Sequence, residues 1–239
     1  MAAGKVTKED VVLEVGPGEG VLTKQLLQTG AHVISVEKDD RLIPELQKKF
    51  AREIATKQLD LIHADILDVG LPRLTKHSYK VVANIPYYIT GQIIRRFLES
   101  DTQPTSMTLL VQKEVADRIV AKDGKESLLS LSVKVFGEPK YIRTVGKGAF
   151  TPQPKVDSAV LAIENISKEK LEGLTEKEFF SMLHGGFAHK RKQLLSNLSS
   201  IFTKEKLTRA FKICQLDPKV RAEDVSLTTW VKLCNTIRL

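Results

Sequence analysis

An amide, a proline and two aromatics stand together at Asn84-Ile85-Pro86-Tyr87-Tyr88, directly after the run Tyr79-Lys80-Val81-Val82-Ala83. That run predicts a short buried strand ending in a turn. In an open α/β sheet, ligands bind outside the carboxyl ends of the strands. Asn84 offers a carbonyl acceptor and an amide donor. Pro86 lacks an N–H and fixes its own φ, so the local backbone is stiff. Tyr87 or Tyr88 can present a flat face to a planar substrate such as a nucleobase. A strand-ending turn with two aromatics packed in the core accounts for the same five residues.

A second constellation lies upstream. Val11-Val12-Leu13-Glu14-Val15 predicts a buried strand, Gly16-Pro17-Gly18-Glu19-Gly20 a tight turn, and Val21 to Leu27 a helix that stops at Gly30. The next strand, His32-Val33-Ile34-Ser35-Val36, ends at Glu37. A β-α-β unit with a glycine turn and a terminal carboxylate suits a ribose-containing cofactor, because the acid accepts hydrogen bonds from ribose hydroxyls. The spacing is not that of a dinucleotide fingerprint. Glu14 precedes Gly16 by two residues, and Glu19 lies between Gly18 and Gly20. Two carboxylates there repel a pyrophosphate and tolerate a cation. S-adenosylmethionine, with its sulfonium and amino groups and no phosphate, fits; a ligand-free β-α turn is the alternative. Leu59 to His63 predicts the third strand, ending at Ala64-Asp65. Asp65 can accept from an adenine amine or cap a turn. Lys38 and Ala64 flank these acids and are assigned to the same cofactor site.

The remaining elements follow from periodicity. Helices are expected over 44–55, 90–100 and 113–121, and strands over 107–111, 141–145 and 156–163. Leu128 to Phe136 alternates like a strand. The stretch Gly146 to Pro154 is rich in Gly and Pro and predicts a surface loop. Phe150 within it is either a plug for the core edge or a stacking platform, and by itself the plug is preferred. From about Asn165 the chain reads as helices: 175–185, 190–198, 204–214 and 228–237. The expected domains are 1–165, binding cofactor, and 166–239, helical.

The 239 residues have enough apolar content for a sizeable core, and no apolar run reaches membrane-spanning length. Residues 1–8 lack the apolar region of a secretory signal. Cys214 and Cys234 are far apart, with no ligand-spaced partners. Neither a disulfide framework nor a metal site is expected, which suits a reducing cytoplasm. The net charge is +8, and residues 165–239 carry 14 Lys/Arg against 8 Asp/Glu. The basic tail, with Lys190, Arg191, Lys192 and Arg221, is the expected polyanion-binding element, with a solvated basic face as the alternative.

With these pieces placed, the chain resembles the small-subunit ribosomal RNA adenine N6,N6-dimethyltransferases of the KsgA type. The resemblance rests on Val12 to Gly18, Ala64-Asp65, Asn84-Ile85-Pro86-Tyr87, Gln112 to Val115, Ala149 to Val160 and Arg221-Ala222-Glu223. It implies an α/β class I Rossmann-like methyltransferase with a seven-stranded, mostly parallel sheet and a small C-terminal all-helical domain. It also implies that Leu128 to Phe136 is helical, against its alternation. The implied reaction is dimethylation of two adjacent adenosines in a hairpin near the 3′ end of small-subunit rRNA, by a monomer acting in subunit biogenesis. Asn84 and the backbone at Ile85-Pro86 would accept from the target amine, with Tyr87 and Phe150 on the two faces of the base. Tyr88 stands where many relatives carry Asn. Relatives also carry about one more helix before the first strand, with a Gln/Asn-Phe-Leu segment closing over the site; if nothing replaces it here, weaker cofactor binding is expected. The rival expectations are a large-subunit rRNA adenine methyltransferase of the macrolide-resistance type and an rRNA-binding assembly factor without chemistry.

Overall fold

The computed structural model describes residues 2–71 and 78–238. Its sheet has seven strands in the order β3-β2-β1-β4-β5-β7-β6. They are β1 (Val11–Val15), β2 (His32–Glu37), β3 (Leu59–His63), β4 (Lys80–Asn84), β5 (Ser106–Gln112), β6 (Glu138–Val145) and β7 (Ser158–Glu164). The first five pair in parallel, and β7 runs antiparallel to both β5 and β6. The chain winds outward from β1 in one direction and resumes at β4 on its other side. The carboxyl ends of β1 and β4 therefore flank the topological switch point, where α/β sheets leave a crevice.

Burial explains the strands. Val12, Leu13, Val33 and Val81 are fully buried, as expected for strands covered on both faces. In β5 only Met107, Leu109 and Val111 are fully buried, the period-two pattern of a strand with one sealed face. Helix α1 (Val21–Leu27) packs Leu26 into the core with Leu46 and Phe50. The single helix expected over 44–55 is two, α2 (Ile43–Lys49) and α3 (Ala51–Ala55), broken where Phe50 leaves helical geometry at ψ 27°. Helix α4 (Thr90–Leu98) buries Ile93, Ile94, Phe97 and Leu98 along one stripe. Helix α5 spans Lys113–Val120.

Leu128–Lys134 forms α6, as the family resemblance implied. The alternation misled because Ser127 and Ser130 cap the first turn reciprocally, and Leu131, Val133 and Val135 are all buried. By contacts the chain divides into two compact units, one of residues 1–116 with 138–166 and one of 117–137 with 167–239. The expected single cut at 165 assigned 117–137 to the first domain. Composition cannot reveal that an internal segment packs with residues far along the chain. In the second unit, α7 (Glu176–Gly186), α8 (Leu194–Leu198), α9 (Lys204–Cys214) and α10 (Leu227–Arg238) surround Trp230, Phe179 and Leu183. Phe187 stacks on Trp230 at 5.8 Å between ring centroids. Among the described residues, no helix is long and apolar enough to cross a membrane.

Candidate cofactor and base site

Four adjacent parallel strands, β3-β2-β1-β4, bring most of the expected site residues to one edge of the sheet. Register sets Val15 beside Val36 and Glu37 beside His63, so the residues after these strands emerge together. Glu14 is fully buried. Its Oε2 accepts from the hydroxyls of Thr23 (2.7 Å) and Ser35 (2.5 Å), and its Oε1 is buried without a partner among the described residues. Burial pushes the carboxyl up to about 7; the Glu37 charge adds to the rise and the two hydroxyls oppose it. Thr23 and Ser35 were given no role from sequence, although a serine inside an apolar strand is the signal that a buried acceptor needs a donor.

The glycine turn is left-handed at Gly16, Gly18 and Gly20, with φ of +66°, +57° and +76°. Among the described residues, a Cβ on Gly16 or Gly18 would meet nothing within 4 Å, which leaves open space beside the turn. Gly20 differs, since a Cβ there would lie 2.5 Å from the Phe50 ring. Gly20 is thus needed for helix packing as well as for its φ. Glu37 ties the turn down: Oε2 accepts from Gly18 N–H (3.1 Å) and Oε1 from Asp39 N–H (2.8 Å). The Ala64 N–H donates to the Glu37 carbonyl (2.9 Å). Of the two roles expected of Asp65, the turn cap is present, and its other oxygen pairs with Lys38. Oδ1 caps a turn by accepting from Leu67 N–H (2.9 Å), while Oδ2 lies 2.7 Å from Lys38 Nζ. The Lys38 ammonium, then the Leu67 N–H, holds the Asp65 carboxyl below its usual range.

These features test the fit of a cationic, nucleoside-bearing cofactor. An orphaned buried carboxylate oxygen, an open glycine cradle and carboxylates at two further strand ends give acceptors for an amine and for hydroxyls, and no phosphate-binding cation in the turn. S-adenosylmethionine has that chemistry.

Asn84 closes β4 one residue later than expected and pairs in register with Leu110. It is exposed, and its side chain makes no hydrogen bond among the described residues. Ile85 is buried and anchors the turn. The Pro86 carbonyl is taken by Ile89 N–H at 3.2 Å, while the Ile85 carbonyl has no such partner among the described residues. Tyr87 is half-buried at the start of a 3₁₀ turn, Tyr87–Ile89, with its hydroxyl 2.6 Å from Ser158 Oγ. Tyr88 is 86% exposed, so the core-packing alternative fails for it. Phe150 is half-buried, following the 3₁₀ turn Lys147–Ala149, and is not sealed into the core.

The basic tail residues lie in the second unit. Lys190, Arg191 and Lys192 were expected in a helix over 190–198, but α8 starts only at Leu194 and all three are exposed in the preceding loop. Asn197 holds that loop, donating from Nδ2 to the carbonyls of Gly186 (2.6 Å) and His189 (3.1 Å). These bonds favour a fixed loop over a longer helix. Arg221 spends its guanidinium on the Lys190 carbonyl (2.7 Å) and on Glu223 (3.2 Å). Among the described residues there is no cluster of three or more His, Cys, Asp or Glu fit to hold a metal ion.

Comparison with known proteins bears on this site. The family described as "Ribosomal RNA adenine dimethylase" matches residues 1–239. The chain is 42% identical over 238 residues to a protein of Dehalococcoides mccartyi named ribosomal RNA small subunit methyltransferase A, covering 98% of this chain and 81% of that one. A Clostridium botulinum protein of the same name is 39% identical, with 98% and 86% covered. Of solved structures, the 23S rRNA methyltransferase ErmE superposes with a TM-score of 0.80 at 25% identity, covering 100% of this chain and 95% of that one. A dimethyladenosine transferase from Plasmodium falciparum shares the fold, with a TM-score of 0.80 at 24% identity over 97% and 91% of the two chains.

Proposed function

The chain belongs to the ribosomal RNA adenine dimethylase family, and from that premise we propose that it dimethylates N6 of two adjacent adenosines in small-subunit rRNA. The observation that carries this is the unengaged, exposed Asn84 side chain at the switch-point edge, beside the acids of β1, β2 and β3. S-adenosylmethionine, when bound, supplies an electrophilic methyl group on sulfur. Gly16 and Gly18 give it backbone room, Glu14 and Glu37 face its amino and ribose groups, and Asp65 with Lys38 and Ala64 faces its adenine. Gly20 keeps the turn against Phe50.

The target amine is a weak nucleophile because its lone pair is delocalised into the ring. No proton has to leave before attack, so a strong base adds little. Asn84 Oδ1 and the Ile85 carbonyl accept its two N–H groups and let the nitrogen pyramidalise, while Pro86 stiffens the turn that aims them. Tyr87 and Phe150 stack on the two faces of the extruded base. Extrusion costs a few kcal/mol, least in a loop. Alignment then supplies most of the acceleration. The proton leaves to solvent after each transfer, and the steps repeat on the same nitrogen.

Lys190, Arg191 and Lys192 contact phosphates, and Arg221 fixes the loop that presents them. The partner is the small ribosomal subunit or its precursor, met by a monomer in the cytoplasm; two buried free cysteines accord with that compartment. A second reading, large-subunit rRNA as acceptor, draws on the superposition with ErmE. The higher identity to proteins named for the small subunit outweighs it. Asn84→Ala tests the mechanism. Methyl transfer to unmethylated small subunits should fall at least about a hundredfold while RNA binding survives; full turnover by that variant refutes the role given to Asn84.

A further inference from the structure

Ser158, the first residue of β7, and Asp157, just before it, hold two different elements of the proposed base site. Ser158 is fully buried and paired on both sides, with Gln112 of β5 and Val145 of β6. Its Oγ meets the Tyr87 hydroxyl at 2.6 Å. Asp157 is exposed, yet its Oδ1 accepts from Lys147 N–H at 2.9 Å, the first residue of the turn leading into Phe150. The Asp157 carbonyl accepts from Lys113 N–H at 3.0 Å, at the start of α5. One dipeptide thus holds Tyr87 directly and the turn that precedes Phe150.

We propose that Asp157 and Ser158 are positioning residues for the methyl transfer, Ser158 fixing the ring of Tyr87 and Asp157 the turn that carries Phe150. This rests on Tyr87 and Phe150 flanking the base, as proposed above. Tyr87 opens one short 3₁₀ turn and Phe150 directly follows another, and such turns are weakly held on their own. A strand paired on both edges is the stiffer element, and a site is only as precise as the element that supports it. A half-buried tyrosine could satisfy its hydroxyl with water. Bonding it to a sealed serine instead anchors the far end of the ring axis, so the place of the aromatic is set before the base arrives. The two turns are far apart in sequence, and β7 sets the spacing between them.

The test uses the full chain with Ser158→Ala, Tyr87→Phe, their double variant, Asp157→Ala and Asp157→Asn. Ser158→Ala and Tyr87→Phe should each lower kcat on unmethylated small subunits about tenfold, with KM for the subunit nearly unchanged. Because both remove one bond, the double variant should be no worse than either single one. Asp157→Asn keeps an acceptor of the same shape and should recover most of what Asp157→Ala loses. Fluorine NMR on 3-fluorotyrosine-labelled protein reads the contact without catalysis. The chain has four tyrosines, and Tyr87→Phe identifies the Tyr87 signal. Ser158→Ala should move that signal and leave the other three. Native kcat in Ser158→Ala, additive losses in the double variant, or an unmoved Tyr87 signal overturns the proposal. Should Ser158→Ala not fold, Tyr87→Phe probes the same bond from its other end, and native kcat there overturns it equally. A native chain that transfers no methyl group sinks the proposed activity, and the fluorine signal still decides whether Ser158 holds Tyr87.

Discussion

Replacing Glu14 with Gln should stabilise the protein above neutral pH while weakening its cofactor site. Burial raises the Glu14 carboxyl from 4.5 to about 7. The folded chain therefore holds this proton more tightly than the unfolded chain. Its contribution to stability is complete below about pH 4.5 and is lost as pH rises through about 7. A shift of that size is worth about 3 kcal/mol, most of it falling between pH 5 and 8. Asp39 and Glu164 are held low, at about 2, by Arg41 and by Lys140 with Lys5. Their contributions run the other way and are complete above pH 5. The amide of Glu14→Gln keeps a carbonyl for Thr23 and Ser35 and does not titrate. Urea unfolding followed by circular dichroism at pH 5 and pH 8 should show the native chain losing about 2 kcal/mol more than Glu14→Gln. Parallel pH dependences refute the buried, proton-binding carboxyl. A cofactor amine beside the orphaned Oε1 favours the ionised acid. Binding S-adenosylmethionine at pH 7 should therefore expel up to about half a proton, read by calorimetry in buffers of different ionisation enthalpy, and Glu14→Gln should expel none.

Neutralising Lys190, Arg191 and Lys192 together should weaken RNA binding and flatten its log–log salt dependence by about two units; an unchanged slope makes the loop a solvated face. Gly20→Ala should destabilise by about 2–4 kcal/mol, from the positive φ and the clash with Phe50, measured as a lower urea midpoint. Gly18→Ala, equally left-handed but with open space around its Cβ, should cost about 1–2 kcal/mol.

The parallel half of the fold was legible because its strands are continuous apolar runs and its turns are marked by glycine or by Asn84. Glu37, Asp65 and Asn84 could be placed at strand ends, and Glu14 just before the first glycine, for the same reason. What escaped was non-local. The packing of 117–137 with the C-terminal residues leaves no trace in composition. Lys190 to Lys192 looked helical because the signal that stops the helix is Asn197, which lies downstream and acts on carbonyls of the preceding loop. Arg221 was expected among the polyanion-binding residues, but a carbonyl partner such as that of Lys190 cannot be read from residue type. Ser158 was visible only as part of a motif, and its bond to Tyr87 needs β7 laid beside β5.

Which ribosomal subunit accepts the methyl group decides the assignment. Purified small and large ribosomal subunits from a strain lacking this methylation, each incubated with the protein and methyl-labelled S-adenosylmethionine, separate the alternatives directly. Small-subunit specificity requires label in the small subunit alone, recovered as N6,N6-dimethyladenosine at two adjacent positions by mass spectrometry of the rRNA. Label confined to the large subunit, or none in either, contradicts it.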